Sequence, residues 1–127
     1  MYEISERYTF TATHRLPALP RSHPCAALHL HRWTVVVVLT AVALPIASRP
    51  SEVAELEPIR RYVAGELDGK YLNDVLVQAP TPGRLAEHLA GWCRSNLTGY
   101  VRAVLHSITV STGSTSSVRC VAPPDGE

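Results

Sequence analysis

Neither sign of charge dominates this chain: 12 lysines and arginines stand against 11 acidic residues, for a formal net charge of +1. No basic stripe forms, and the few aromatics do not interleave with cations. The pattern argues against nucleic acid as the main partner. Cysteine is scarce as well. Cys25, Cys93 and Cys120 are an odd set without C-x-x-C spacing and without a secretory leader ahead of them. The expectation is a reduced, cytoplasmic protein with free thiols. Long hydrophobic runs are missing too. The most charge-poor stretch, Trp33 to Ala47, is fifteen residues long and contains Pro45. A membrane-spanning helix needs about twenty. Its valine richness predicts a buried strand instead.

What is present fits one domain. The 127 residues are expected to form a single unit over 1–122 with a tail at 123–127. Residues 2–13 read as a first strand with Tyr8, Phe10 and Ala12 on one face. Pro17, Pro20 and Pro24 predict a loop over 15–28. A second strand is expected from about His31 to Ala43, ended by Pro45 and Pro50. Ser51 is a good N-cap for a helix over 52–66, with Glu52 and Glu55 in its first turn and Pro58 as a defect inside it. Val53, Leu56, Ile59, Val63 and Leu67 fall at helical spacing, and Asp68-Gly69 stops that helix. Thr81 caps a second helix that Gly99 ends, with Pro82 in its first position. Val101 to Val110 and Val118 to Val121 read as the third and fourth strands. The order is ββααββ. The valine run 35–38 is apolar at odd and even positions alike. Neither face is polar there, and a monomer would leave apolar surface uncovered, which predicts self-association.

The chemistry concentrates near the N-terminus. His29 and His31 are two residues apart, so on a strand their rings share a face. His14 closes the first strand, and if the two strands pair it reaches the same point. Three neutral imidazoles fill three tetrahedral positions of a zinc ion and leave the fourth for water or substrate. An isolated H-x-H pair is weak evidence, and most such pairs are solvated. Cys25 lies just upstream. By spacing alone it reads as an ordinary loop or core thiol, and His23 is the nearest titratable group to it in sequence.

Four segments raise the specificity. Phe10-Thr11-Ala12-Thr13-His14-Arg15-Leu16, His23-Pro24-Cys25-Ala26-Ala27-Leu28-His29-Leu30-His31, Glu66-Leu67-Asp68-Gly69-Lys70-Tyr71-Leu72-Asn73-Asp74 and Ala79-Pro80-Thr81-Pro82-Gly83-Arg84-Leu85-Ala86 occur in this order. Together they resemble the F-x-A-A-H-R-L, H-x-C-x-x-L-H-G-H, L-D-H-x-x-L-N-D and N-P-T-x-E-N-L-A segments of the 6-pyruvoyltetrahydropterin and 6-carboxytetrahydropterin synthase family. The resemblance implies an α+β tunnelling fold (T-fold): a four-stranded antiparallel sheet with two helices on one face, assembled through trimers or hexamers into a barrel with sites between subunits. It implies zinc on His14, His29 and His31, Cys25 as catalytic base or nucleophile, and Asp68 as half of a proton-shuttling Asp-His pair.

The departures are specific. Gly69 stands where the family has the histidine of that pair, so the relay is lost or taken over by His23, Lys70 or His106. Asp68 also reads simply as the residue that ends the first helix. Thr112 stands at the glutamate that grips the pterin ring, and a hydroxyl cannot make a carboxylate's two-pronged contact. Thr81 and Thr112 are the expected substrate-side residues. Retained metal ligands with altered recognition predict a zinc-dependent lyase or cyclase acting on a non-pterin hydroxy-carbonyl compound in specialised metabolism. The alternatives are an authentic 6-carboxytetrahydropterin synthase acting on dihydroneopterin triphosphate, and a non-catalytic zinc-containing structural or regulatory subunit. The expected partners are a small-molecule substrate and further copies of the chain, with no membrane and no nucleic acid.

Overall fold

A computed structural model describes residues 1–43, 56–97, 103–113 and 115–122. Its elements are β1 (Tyr2–His14), β2 (His29–Ala41), α1 (Leu56–Tyr62), α2 (Pro82–Asn96), β3 (Ala103–Ser111) and β4 (Val118–Val121). Short 3-10 turns at Pro24–Ala26 and Leu72–Asp74, and a π-helical turn at Val63–Leu67, link them. The strands form one antiparallel sheet in the order β1-β2-β3-β4. Pro45, Pro50, Ser51, Glu52, Val53, Glu55, Gly99 and the tail lie outside the described residues, so the expected end of the second strand and cap of the first helix go with them.

Period-two alternation decides which face of the sheet is the core. Ile4, Tyr8, Phe10, Ala12 and His14 of β1 are buried, as are Trp33, Val35, Val37, Leu39 and Ala41 of β2. The pairing Phe10↔Trp33, Ala12↔His31 and His14↔His29 sets these two rows side by side. Leu56, Ile59, Val63 and Leu67 from α1 and the turn after it, and Leu85, Ala86, Leu89, Ala90 and Cys93 from α2, complete the core. α2 packs against β3 and β4. The even residues of the valine run, Val36 and Val38, are only half-buried on the opposite face, which is the apolar surface the sequence predicts there.

Two local features modify the expected plan. The helix expected to run to residue 66 is α-helical through Tyr62 and passes into the π-helical turn at Val63–Leu67. In β3 the register passes from Val38↔Ser107 to Leu39↔Leu105, so His106 is the extra residue of a β-bulge. A bidentate contact from Arg60 to Glu6, at 3.1 and 3.2 Å, ties α1 to β1.

Candidate metal centre

The final rung of the β1–β2 ladder is His14↔His29. His31 follows on the same face of β2, so the three rings gather at the end of the core. Ring centroids of His14 and His29 are 4.4 Å apart, those of His29 and His31 4.5 Å, and those of His14 and His31 5.2 Å. Trp33 continues the same alternation and forms the floor. Its ring is fully buried, meets His14 edge-on at 5.0 Å, and donates from Nε1 to the Ala12 carbonyl at 3.2 Å.

Backbone carbonyls fix the orientation of two of the rings. His14 Nδ1 lies 2.8 Å from the Pro80 carbonyl and His29 Nδ1 lies 2.7 Å from that of Ala27. A carbonyl oxygen only accepts, so each Nδ1 carries the proton and donates it. In the neutral ring that leaves the lone pair on Nε2. Both Nε2 atoms are buried and have no hydrogen-bond partner among the described residues. A buried polar nitrogen left this way is costly unless something else satisfies it. Burial first, then the neighbouring imidazoles, pulls the pKa of His14 below the ordinary histidine value, while the Pro80 contact opposes the shift. Burial and the His29 ring act on His31 in the same direction. Both shifts favour the neutral ring of His14 and of His31, the form that binds metal.

Cys25 joins them from the loop. His23 caps the 3-10 turn, its Nδ1 accepting from the Cys25 N–H at 3.0 Å, and Pro24 starts the turn. The Cys25 carbonyl accepts from Leu16 N–H at 2.7 Å, which fastens the loop just beyond His14. One donor atom from each of His14, Cys25, His29 and His31 lies within 4.8 Å of the others. Four soft or borderline donors at that separation, two of them orphaned nitrogens, fit a zinc-type ion.

The other expected site residues are placed less directly. Asp68 Oδ1 accepts from the Thr11 backbone N–H at 3.2 Å, so its carboxylate fastens the end of the π-helical turn to β1. The Thr81 hydroxyl caps α2 by accepting from Arg84 N–H at 3.2 Å, directly after the Pro80 carbonyl that orients His14. Thr112 follows β3 and is half-buried. The His23 ring engages the Cys25 backbone. Gly69 has a left-handed φ of 74°. Sequence reasoning missed the orienting carbonyls of Ala27 and Pro80, which carry no side-chain signature. It also missed Trp33, although the odd-numbered row His29, His31, Trp33 points to it.

The fold is an α+β antiparallel sheet that carries a candidate His/Cys metal site at one end of its core. Residues 3–122 match the family described as 6-pyruvoyl tetrahydropterin synthase, and the chain belongs to that family. Two solved structures share the fold. An uncharacterized protein from Wolinella succinogenes superposes with a TM-score of 0.77 at 16% identity, covering 96% of this chain and 98% of that one. The 6-pyruvoyl tetrahydropterin synthase of Caenorhabditis elegans superposes with a TM-score of 0.75 at 17% identity, covering 96% of each chain. The T-fold expected from the sequence is the fold observed. No described helix is long and apolar enough to cross a membrane.

Proposed function

We propose that this protein is a zinc-dependent lyase or cyclase whose substrate is a hydroxy-carbonyl compound other than a pterin. The observation that carries the metal is the convergence of His14, Cys25, His29 and His31, with two buried Nε2 atoms left unpartnered. His14, His29 and His31 are the proposed zinc ligands. Zinc, when bound, supplies Lewis-acid polarisation of a substrate oxygen and so acidifies the adjacent C–H. Cys25 Sγ is the proposed base that takes that proton, because it is the remaining donor of the cluster and is carried on a loop fastened beside His14.

Asp68 and His23 are the proposed assisting groups, Asp68 from beside β1 and His23 from the residue pair that holds the thiol turn. Thr81 and Thr112 are proposed on the substrate side. The departure from pterin chemistry is supported by two positions. Gly69 offers no ring to move a proton, and Thr112 offers a neutral hydroxyl where a pterin's guanidine-like edge needs a carboxylate. The proposed working form is a homo-oligomer, which would cover the half-buried Val36 and Val38 on the face opposite the helices.

The test pairs elemental analysis with substrate trials. The expected result is one zinc per chain, no turnover of dihydroneopterin triphosphate, and Cys25-dependent proton exchange on a small hydroxy-carbonyl compound. Turnover of dihydroneopterin triphosphate would replace this reading with a pterin synthase. A zinc-bearing protein whose cellular role survives Cys25→Ala would replace it with a structural subunit.

A further inference from the structure

The outer edge of β1 beside the metal centre is held by a segment to which the proposed chemistry assigns only Asp68. Residues 69–73 run parallel to it. Gly69 N–H donates to the Thr11 carbonyl at 2.7 Å, Thr13 N–H donates to the Lys70 carbonyl at 3.0 Å, and Thr13 pairs with Tyr71 in a parallel bridge. In that register the next rung joins Arg15 to residue 73. The backbone is unavailable for it, because Leu72–Asp74 has already turned into a 3-10 helix. The Asn73 side chain supplies the rung instead. Its Oδ1 accepts from Arg15 N–H at 2.9 Å and its Nδ2 donates to the Arg15 carbonyl at 2.8 Å. A carboxamide presents an acceptor and a donor as a peptide group does, so it can stand in for the missing strand residue.

The clamped residue lies between two donors of the cluster. His14 precedes Arg15, and Leu16, which follows it, is hydrogen-bonded to the Cys25 carbonyl. The link 14–16 therefore sets the position of the His14 ring relative to the Cys25 loop, and Asn73 holds the middle of that link. We propose that Asn73 is a positioning residue for the metal centre: by bracketing the Arg15 backbone it holds His14 Nε2, a proposed zinc ligand, at its place beside Cys25 Sγ. The inference rests on the metal reading above. Because the Pro80 carbonyl also holds His14, removing the clamp loosens the centre without abolishing it.

Mere stapling of 69–73 to β1 would lower stability without acting selectively on metal. The test is chelator competition for Co2+ on the full chain, with the visible Co2+ spectrum recorded alongside. Asn73→Ala is expected to bind about tenfold more weakly, the low end of what outer-shell partners of metal ligands cost, and to show altered Co2+ bands. Asn73→Asp, which keeps the acceptor for Arg15 N–H and loses the donor, is expected to fall between Asn73→Ala and the original protein. Ile59→Val, a core change on α1, is the control and is expected to lower stability with wild-type affinity. Wild-type affinity and spectrum in Asn73→Ala would overturn the positioning role, as would an equal loss in Ile59→Val. If Asn73→Ala does not fold, wild-type affinity in Asn73→Asp overturns it. Failure of the unmodified chain to take up Co2+ is a different result and overturns the metal reading itself.

Discussion

His14 and His29 face each other across the last rung of the β1–β2 ladder, each with Nδ1 held by a backbone carbonyl and Nε2 buried without a partner. The pair is preorganised: both rings are locked in one tautomer before any ion arrives. In the proposed site, replacing either with alanine removes a zinc ligand rather than a supporting contact. His29→Ala is therefore expected to weaken zinc by more than the roughly 10–100-fold typical of an outer-shell change. Chelator competition checks this, and affinity within a few-fold of the original would count against His29 as a ligand.

Trp33 supports that pair from below. Trp33→Ala removes a fully buried indole stacked parallel to Phe10 and edge-on to His14. The expected cost is about 3–5 kcal/mol in denaturant unfolding, together with weaker metal binding. A loss under 1 kcal/mol would mean that the floor collapses freely around the vacancy.

Cys25 and Cys93 are expected to differ in reactivity. Burial among apolar side chains pushes the Cys93 thiol up to about 12, so only about one in 10,000 is thiolate at pH 8. Alkylation of the folded protein at pH 8 should leave Cys93 unlabelled while Cys25, half-buried on its loop, reacts. Early labelling of Cys93, detected by peptide mass, would contradict the buried placement.

His88 gives a pH dependence away from the metal. It sits 2.6 Å from the Tyr62 hydroxyl, and burial lowers its pKa below 6.5. The unfolded chain then binds more protons than the folded one between the two pKa values. The stability it contributes is complete above about pH 6.5 and is lost as pH falls from there through the folded value. The difference in unfolding free energy between the wild type and His88→Gln should shrink from pH 7.5 to pH 5.5. A difference that grows on acidification would reverse the sign of the shift.

Gly69 can be tested as the vacant position of the family's Asp-His pair. Its φ of 74° is left-handed, yet a Cβ there meets nothing within 4 Å. Gly69→His should fold with a cost of about 1–2 kcal/mol from backbone strain, since the added Cβ meets no neighbour. Thermal unfolding measures the cost, and failure to fold would show that the turn requires glycine.

Much of this was legible in the sequence. The alternation through Tyr8, Phe10, Ala12 and His14, and the valine-rich run after His31, marked two strands and the face they share, because a strand's period is fixed by its geometry. The H-x-H pair with His14 gave the three rings for the same reason. What was not legible depends on tertiary contact. The carbonyls of Ala27 and Pro80 are main-chain groups that any residue carries. The Asn73 clamp joins positions 58 residues apart, and an asparagine in a turn reads locally as turn chemistry. The bulge at His106 is a register slip that the hydrophobic pattern of Ile108 and Val110 does not reveal.

The most direct measurement is an X-ray absorption spectrum at the zinc edge of the purified protein, beside its zinc content. The account predicts one zinc per chain with three imidazole nitrogens at about 2.0–2.1 Å, and loss of that signal in a His14→Ala/His29→Ala double variant. A folded wild-type protein that takes up no zinc, or a double variant that keeps the same spectrum, would contradict it.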